Sequence, residues 1–398
     1  MIRWFAAHAA HARVLVLLPG HAAGPFTPLL RRMGLWRRPG DGEAAMLQTT
    51  GAAVIAHRYD VPQGRRYAAT AIMNDQPRNR PRIAPAAQAQ SRLEPLVAAA
   101  RRRAALRTAV VHPVDTTSLL GAIEAERAGL ISAVLVGPER RIRAAAREAG
   151  IDLAGRAIEA TEHSHAAAAR AVQMARRGEI DAIMKGALHT DELMHCVVDP
   201  DNGLRTERRV SHVFAIDAPH YPRLLFITDA AVNIYPSLED KRDIVQNAID
   251  LAHALGVRTP RVAILSAVEL VTPKIKSTLD AAALCKMADR GQITGAILDG
   301  PLAFDNAVSS AAAAAKAIAS GVAGRADIFV VPDLEAGNML AKQLEYLAGA
   351  QLAGIVLGAR VPIMLTSRAD DARSRLASCA IAVLYVQRRA TPARRSPG

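Results

Sequence analysis

Cysteines and long apolar runs are both scarce in this 398-residue chain. The three cysteines, Cys196, Cys285 and Cys379, lie far apart, without the paired spacings that mark zinc sites or disulfide frameworks. We therefore expect no metal site and a reducing compartment, the cytoplasm. No apolar run approaches the ~18 residues of a membrane span, so we expect no membrane partner.

Aromatic residues are also scarce, at 4% of the chain, whereas hydrophobic residues of all kinds reach 51%. The apolar positions are therefore mainly Ala, Val, Leu and Ile, a composition that is normal for packed layers of helices and strands. At 398 residues the chain is long enough for two domains with cores of their own.

Acidic residues are scarce only near the two ends of the chain, although the net charge is +13. Residues 1–91 contain 12 arginines and 4 acids, and residues 388–398 contain 4 arginines and no acid. Residues 92–387 are left with a net charge of only +1. Because a nucleic-acid-binding surface needs basic residues on the folded part of the chain, we expect no nucleic-acid partner.

The first 90 residues show no helical or strand period, and residues 74–85 form a run of Pro, Arg and Asn that is typical of a linker. We predict that residues 1–90 are a disordered or non-native N-terminal arm. It would be non-native if translation started at Met73. Residues 388–398 are predicted to be a solvated basic tail.

From residue 91 onward, short apolar runs alternate with alanine-rich helical patterns. This alternation predicts an α/β fold with βαβ units and a parallel sheet. Only turn residues separate the apolar segments 210–216 and 224–229, so we expect these two strands to pair antiparallel. We place a domain boundary at this hairpin, with domain I at residues 91–208 and 353–387 and domain II at residues 209–352.

Three segments rich in small and polar residues follow apolar runs, at residues 299–306, 331–338 and 365–368. Loops that leave the carboxyl ends of strands build the ligand site in α/β sheets, so we expect these three to line one site. Their glycines permit close approach of an anionic ligand to the backbone. The loop at Lys185-Gly186 either offers one charge and free N–H groups to phosphate or is an ordinary turn.

Five motifs follow one another between residues 185 and 368. They are Lys185-Gly186-x-x-His189-Thr190, Arg205-Thr206-x-Arg208-Arg209-x-Ser211-His212-Val213, Asp299-Gly300-Pro301, Pro332-Asp333-Leu334-Glu335-Ala336-Gly337-Asn338 and Leu365-Thr366-Ser367-Arg368. Together they resemble the phosphate acetyltransferase/phosphate butyryltransferase family. The resemblance covers residues 92–387 and is strongest to the phosphotransacetylase part of bifunctional enoyl-CoA hydratase/phosphate acetyltransferase proteins. The first 90 residues match neither part.

The resemblance implies a reversible reaction in which acyl-CoA and phosphate give acyl phosphate and free CoA, with an acetyl, propionyl or butyryl group. It also implies two α/β domains around a cleft, similar to isocitrate and isopropylmalate dehydrogenases, and a homodimer. CoA and phosphate are substrates, and no permanently bound cofactor is implied. One alternative is an NAD-dependent β-decarboxylating dehydrogenase-like enzyme, which would need metal-binding aspartates clustered on a helix. Another is a non-catalytic assembly subunit.

The resemblance assigns catalysis to Ser367, Arg368 and an aspartate, either Asp370 or Asp371. The aspartate takes the proton of the CoA thiol, Arg368 binds phosphate, and Ser367 supports the tetrahedral intermediate. This division suits the chemistry, because a thiol with a pKa near ~8.5 is mostly protonated at neutral pH and the guanidinium fork fits phosphate. Either aspartate can instead cap the final helix.

The resemblance assigns a second group of residues to substrate binding on the cleft wall. They are Lys185, Gly186, His189, Thr190, Arg205, Asp299, Gly300, Pro301 and Asn338. Thr190 can instead be the N-cap of the helix that follows it, and Asn338 can cap its own helix. We expect Cys196 not to act as a nucleophile, because direct transfer between two bound substrates needs no acyl-enzyme.

Overall fold

The structure, a computed structural model, describes residues 91–365 and 371–390, together with the backbone of residues 53–60 and 66–73. The chain divides into one unit at residues 1–88 and another at residues 89–398. Most of the predicted N-terminal arm and of the predicted basic tail lies outside the described residues.

Two strands occur in the first unit, where the sequence predicted none. β1 (Ala53–Asp60) and β2 (Arg66–Met73) form an antiparallel hairpin in which Tyr59 lies opposite Tyr67. The sequence analysis found no strand period there, and the disordered or non-native arm itself stays a prediction. The signal was present, because β-branched and aromatic residues flank a short stretch that contains Pro62 and Gly64.

The second unit contains eleven strands and eleven helices among its described residues. The strands are β3 (Leu106–Val111), β4 (Ile131–Gly137), β5 (Ala157–Ala160), β6 (Ala182–Lys185), β7 (Ser211–Asp217), β8 (Leu225–Thr228), β9 (Arg261–Leu265), β10 (Ile297–Leu302), β11 (Ile328–Val330), β12 (Gln351–Leu357) and β13 (Ile363–Met364). The helices are α1 (Glu94–Ala100), α2 (Thr116–Arg127), α3 (Glu139–Glu148), α4 (Ser164–Arg176), α5 (Thr190–Val197), α6 (Leu238–Ala254), α7 (Lys276–Asp289), α8 (Phe304–Val308), α9 (Ser310–Ala315), α10 (Leu334–Ala348) and α11 (Ala372–Ala390).

The eleven strands form a single mixed sheet in the order β10-β9-β11-β8-β7-β12-β13-β6-β3-β4-β5. Strands β3 to β6 and β13 are parallel to one another, and so are β8 to β11. Between these blocks, β7 pairs antiparallel with β8 and with β12, and β12 pairs antiparallel with β13. The two blocks therefore run in opposite directions. The predicted antiparallel pairing of residues 210–216 with residues 224–229 is confirmed.

The central strands are buried and almost entirely apolar, as expected for a sheet covered by helices on both faces. Every residue of β6 and of β8 is buried, and Phe226 and Phe329 are the largest of the fully buried side chains. Alanines supply much of the helical packing surface, including Ala167, Ala168 and Ala171 on α4. In the described part of the chain, no helix has both the length and the apolar character of a membrane span.

Two boundaries differ from the prediction for physical reasons. The apolar run at residues 293–298 predicts a strand, and β10 continues four residues beyond it, because Asp299-Gly300-Pro301 follows β9 through an irregularity in the register. A proline is tolerated there because β10 is an edge strand. The alanine-rich pattern at residues 307–319 predicts one helix. The structure has two short helices instead, because Ser309 is extended and its side chain accepts a hydrogen bond from the N–H of Ala312.

Candidate functional site

The carboxyl ends of β6 and β13 lie side by side on one edge of the sheet. Ile183 pairs with Ile363, and Met184 with Met364, in parallel register. One strand leads directly into Lys185 and Gly186. The other leads through Leu365 into residues 366–370, which include Ser367, Arg368 and Asp370 and lie outside the described residues. The structure thus brings the first motif next to the start of the last motif.

Gly186 holds this loop against the end of β3. Its N–H donates a hydrogen bond to the carbonyl of Val111 at 2.9 Å, and the N–H of Ala187 donates to the carbonyl of His112 at 2.9 Å. A Cβ atom on Gly186 would overlap the Val111 carbonyl oxygen and lie 2.9 Å from that of His112. Only glycine fits here. Lys185, beside it, is buried, with 8% of its surface exposed.

His112 and Arg141 lie on the same edge, and the sequence analysis assigned a role to neither. His112 follows β3, has a φ of 57° and is buried. Its Nε2 lies 3.5 Å from Nη1 of Arg141. Burial, aided by the charge of Arg141, lowers the pKa of His112 despite the opposing effect of Glu192 and Asp115. A neutral imidazole beside a guanidinium therefore lies close to the Lys185-Gly186 loop. Among the described residues, its Nδ1 has no hydrogen-bond partner.

Helix α5 begins at this edge, one residue earlier than an N-cap at Thr190 would place it. His189 is its N-cap, without a hydrogen bond from the side chain, and Thr190 is the first helical residue. The alternative that made Thr190 the N-cap is therefore wrong. Asp191 and Glu192 occupy the first turn, so carboxylates already complement the positive end of the helix dipole. Further along α5, burial raises the pKa of the Cys196 thiol, which disfavours the thiolate that a nucleophile requires.

Asp371 caps the final helix. Its carboxylate accepts a hydrogen bond from the N–H of Ser374 at 2.7 Å, and its carbonyl accepts one from the N–H of Arg375 at 3.2 Å. Asp371 therefore has the helix-capping role that the sequence analysis gave as the alternative to catalysis. α11 then continues through residues 388–390, three residues that the sequence analysis assigned to the solvated tail.

Asp299, Gly300 and Pro301 lie far from Lys185 within one chain. They belong to β10, at one end of the sheet, and six strands separate β10 from β6. At about 4.8 Å per strand, the separation along the sheet is about 34 Å. Gly300 packs against β9, where a Cβ atom would lie 2.7 Å from the Ile264 carbonyl oxygen. The structure therefore does not bring these residues close to Lys185, at the carboxyl ends of β6 and β13.

Asn338 and Arg205 also lie away from Lys185. Asp333 caps α10, and Asn338 instead donates a hydrogen bond from Nδ2 to the carbonyl of Ala230 at 3.2 Å. Asn338 therefore joins α10 to the loop after β8, whose block of strands runs opposite to β6. Arg205 forms an antiparallel bridge with Ala359, on the amino side of β13. The expected single cluster is thus divided, because β7 and β12 reverse the strand direction.

The second motif supports a buried network around Asp229, which sequence reasoning did not single out. The Asp229 carboxylate accepts hydrogen bonds from four backbone N–H groups and from Nδ2 of Asn233. The N–H donors are His212, Ala231, Val232 and Asn233. Burial raises the pKa of Asp229, and these hydrogen bonds oppose that shift. Arg209 donates to Oδ1 of Asn233 at 2.7 Å. The motif thus fixes the β7–β8 junction.

Comparisons with known proteins agree with the motifs. A family model described as Phosphate acetyl/butaryl transferase matches residues 158–383. Phosphate acetyltransferase of Rhizobium meliloti is 63% identical over 299 residues, which are 75% of this chain and 95% of that protein. Phosphate butyryltransferase of Clostridium acetobutylicum is 41% identical over 278 residues, which are 70% of this chain and 92% of that protein.

A solved structure shows the same relationship. The crystal structure of a branched-chain phosphotransacylase from Enterococcus faecalis has a TM-score of 0.61 and 28% identity, and it covers 70% of this chain and 99% of that one. The alternative of a dehydrogenase-like enzyme has no support in these comparisons. The resemblance seen in the five motifs is confirmed. The chain belongs to the phosphate acetyltransferase/phosphate butyryltransferase family and is therefore an acyltransferase.

Proposed function

We propose that this chain transfers a short acyl group, acetyl or its propionyl and butyryl homologues, reversibly between CoA and inorganic phosphate. The observation that carries the proposal is the parallel register of β6 with β13. It supports a site in which the Lys185-Gly186 loop and the segment with Ser367 and Arg368 act on one substrate. Family membership supports the reaction class.

The residue roles follow from the chemistry of the transfer. In the direction of acyl-CoA synthesis, an aspartate takes the thiol proton, the sulfur attacks the acyl carbonyl carbon, and the carbonyl carbon–oxygen bond to phosphate breaks. Arg368 binds the departing phosphate through its guanidinium fork, and Ser367 stabilises the tetrahedral oxyanion by a hydrogen bond. We assign the base to Asp370, because the Asp371 carboxylate is engaged at the start of α11.

The substrate-binding group of this proposal is smaller than the one assigned from the sequence. Lys185, Gly186, His189 and Thr190 are retained because they belong to the carboxyl side of β6. The remaining five residues are not retained, because they lie away from that edge in one chain. They are Arg205, Asp299, Gly300, Pro301 and Asn338.

We extend the proposal to the architecture. Two lobes, at residues 91–208 with 353–387 and at residues 209–352, enclose a cleft as in isocitrate and isopropylmalate dehydrogenases. The reversal of strand direction at β7 and β12 supports this division. The enzyme is a cytoplasmic homodimer without a permanently bound cofactor. Large exposed apolar side chains on residues 209–352, including Leu270 and Leu347, support an interface with a second copy.

The test is phosphate-dependent thiol release by the full chain. Acetyl-CoA, propionyl-CoA and butyryl-CoA are each supplied with inorganic phosphate, and both free thiol and acyl phosphate are measured. We expect equal amounts of the two products, with no thiol release when phosphate is omitted. Thiol release that does not depend on phosphate, or none at all from a protein with cooperative unfolding, would contradict the proposal. NAD reduction with 2-hydroxy acids should be absent.

A further inference from the structure

A cavity of about 650 Å³ lies on the amino side of β13, away from the transfer site. Arg205 lines it from the loop before β7, Arg360 from the segment before β13, and Arg388 from the end of α11. The Ser367-Arg368 segment, by contrast, follows the carboxyl end of β13. α11 begins beside Asp371, and Tyr385, its first residue to line the cavity, lies about 20 Å further along the helix.

The lining of this cavity is strongly cationic. It contains five arginines and two carboxylates. Arg208 is paired with Asp250, and the guanidinium of Arg389 lies 5.7 Å from the centre of the Tyr385 ring. Arg205, Arg360 and Arg388 are exposed, as solvated arginines commonly are, and form no ion pair with any described residue.

Helix stability does not account for this charge. Arg388 and Arg389 lie in the last turn of α11, where cations complement the helix dipole. Arg205 and Arg360, however, belong to no helix and still line the same cavity. Arginines from three separate segments line one space, and no described carboxylate pairs with three of them. A ligand with more than one anionic group fits that arrangement.

The size and the lining together indicate the class of ligand. Small-molecule sites commonly occupy about 300–1,000 Å³, so this cavity is much larger than one inorganic phosphate needs. Arginine is suited to bidentate binding of phosphate oxygens. The buried ring of Tyr385 adds one aromatic surface. Phosphate groups on a nucleotide-sized organic body match both features.

We propose that the arginine-lined cavity is a second binding site, specific for a phosphorylated anion of nucleotide size. The anion is either a free nucleotide or the adenosine-phosphate portion of CoA, and the two share the recognised chemistry. The site does not depend on acyl transfer, so its test is a binding measurement without turnover.

The experiment is a calorimetric titration of the full chain with ADP at low salt. Wild type should bind ADP saturably, with affinity that falls as salt is added. Arg360→Ala combined with Arg388→Ala should weaken ADP binding by at least about tenfold, since hydrogen bonds to charged groups are each worth about that factor. Arg205→Ala, on a separate segment, should weaken it independently.

Two controls test whether ADP binds at this cavity and not at other arginines of the chain. Arg102→Ala combined with Arg103→Ala removes the same charge from exposed positions outside the cavity and should leave ADP binding within about twofold of wild type. Arg368→Gln, in the proposed transfer segment, should leave ADP binding unchanged. Thermal unfolding of each variant at the wild-type temperature verifies the fold.

Three outcomes would overturn the proposal. They are no saturable binding of ADP to wild type, loss of ADP binding in Arg368→Gln with retention in the Arg360/Arg388 variant, or an equal loss in the Arg102/Arg103 control. A CoA titration of ADP-loaded Arg368→Gln then identifies the source of the anion. Displacement of ADP indicates the nucleotide portion of CoA, and retention of ADP indicates a free phosphorylated metabolite. Both results support the site.

Discussion

Gly186 is the residue on which the geometry of the first loop depends. Replacing it by Ala places a methyl group against the carbonyls of Val111 and His112, which have to move because backbone atoms cannot rotate away. We expect Gly186→Ala to lower the free energy of unfolding by about 1–3 kcal/mol and to lower kcat/KM. Urea denaturation measures the first effect and thiol release the second.

The matched control for that substitution is Gly321→Ala. A Cβ atom there has only Ile297 Cγ2 nearby, at 3.6 Å, so the free energy of unfolding should stay within about 0.5 kcal/mol of wild type. Equal losses in the two variants would show that the close approach of Gly186 to β3 is unimportant.

Asp370 and Asp371 are neighbours to which we assign different roles. Asp371→Asn should keep both the cap and the activity, because asparagine caps helices as well as aspartate does. Asp370→Asn should lower kcat by about 10²–10⁴, the usual contribution of a general base. The measurement is kcat for acyl-CoA formation, with thermal unfolding as a check on the fold. The opposite pattern would transfer the role of base to Asp371.

For single residues, local roles such as helix capping could be predicted from the sequence, whereas contacts between distant parts of the chain could not. The capping alternative for Asp371 was visible because an aspartate stands directly before a helical pattern. His112 was not identified, because its positive φ and its contact with Arg141 arise from chain packing and leave no mark in residue spacing. The Thr190 alternative failed by one residue, which is within the normal uncertainty of helix ends.

The α6 and α7 helices are joined by an ion pair in which both partners are buried. Lys241 Nζ lies 2.7 Å from Oδ2 of Asp280. Replacing Lys241 by Met leaves the Asp280 carboxylate with only Lys276, and losing a buried partner typically costs about 3–5 kcal/mol. We expect Lys241→Met to lower the free energy of unfolding by about 3 kcal/mol in urea denaturation, since Lys276 compensates in part.

Lys276→Met provides the comparison, because Lys276 is bonded to the same carboxylate, at 3.2 Å, and is mostly exposed. Exposed pairs contribute about 0–1 kcal/mol, so this variant should remain close to wild type. A loss as large as that of Lys241→Met would show that burial does not control the strength of the pair.

Most elements of the second unit were predictable from local pattern. The helical pattern predicts a helix near residues 276–289, where α7 lies, and the β7–β8 pairing was evident from the short connection between two apolar segments. The extension of β10 was not predictable, because pairing with β9 carries Asp299-Gly300-Pro301 into the strand. The break at Ser309 was hidden by the helix propensity of the alanines around it.

The order of the strands is a property of the whole molecule that no local pattern contains. The sequence predicted strands and their polar loops, and we expected the three loops to line one site. β7 and β12 reverse the strand direction, so the loops after β10 and β11 leave the edge opposite to that of β13. The three loops therefore do not leave the sheet on one side, and the site that we propose uses motifs on the neighbouring parallel strands β6 and β13.

Acid should destabilise the fold through His212. Burial lowers the pKa of His212 to about 3, so the folded protein keeps this histidine neutral, whereas the unfolded chain takes up a proton below about pH 6.5. The contribution to stability is complete above that pH. It falls by about 1.4 kcal/mol for each further pH unit until the folded pKa is reached.

His212→Gln isolates this effect. Urea denaturation at about pH 7.5 and about pH 5.5 should show a loss of unfolding free energy that is about 1.4 kcal/mol larger in wild type than in the variant. Any general destabilisation by the glutamine cancels, because each protein is compared with itself. The same loss in both proteins would rule out His212 as a source of the pH dependence.

The central claim is that Arg368 binds phosphate during acyl transfer, and its most direct test is kcat/KM for phosphate-dependent release of CoA from acetyl-CoA by Arg368→Gln. Losing one charge-stabilising group typically lowers the rate by about 10²–10³, so we predict a fall of that size with unchanged thermal unfolding. Arg102→Gln, at an exposed position, should keep wild-type activity. Wild-type kcat/KM in Arg368→Gln would contradict the account.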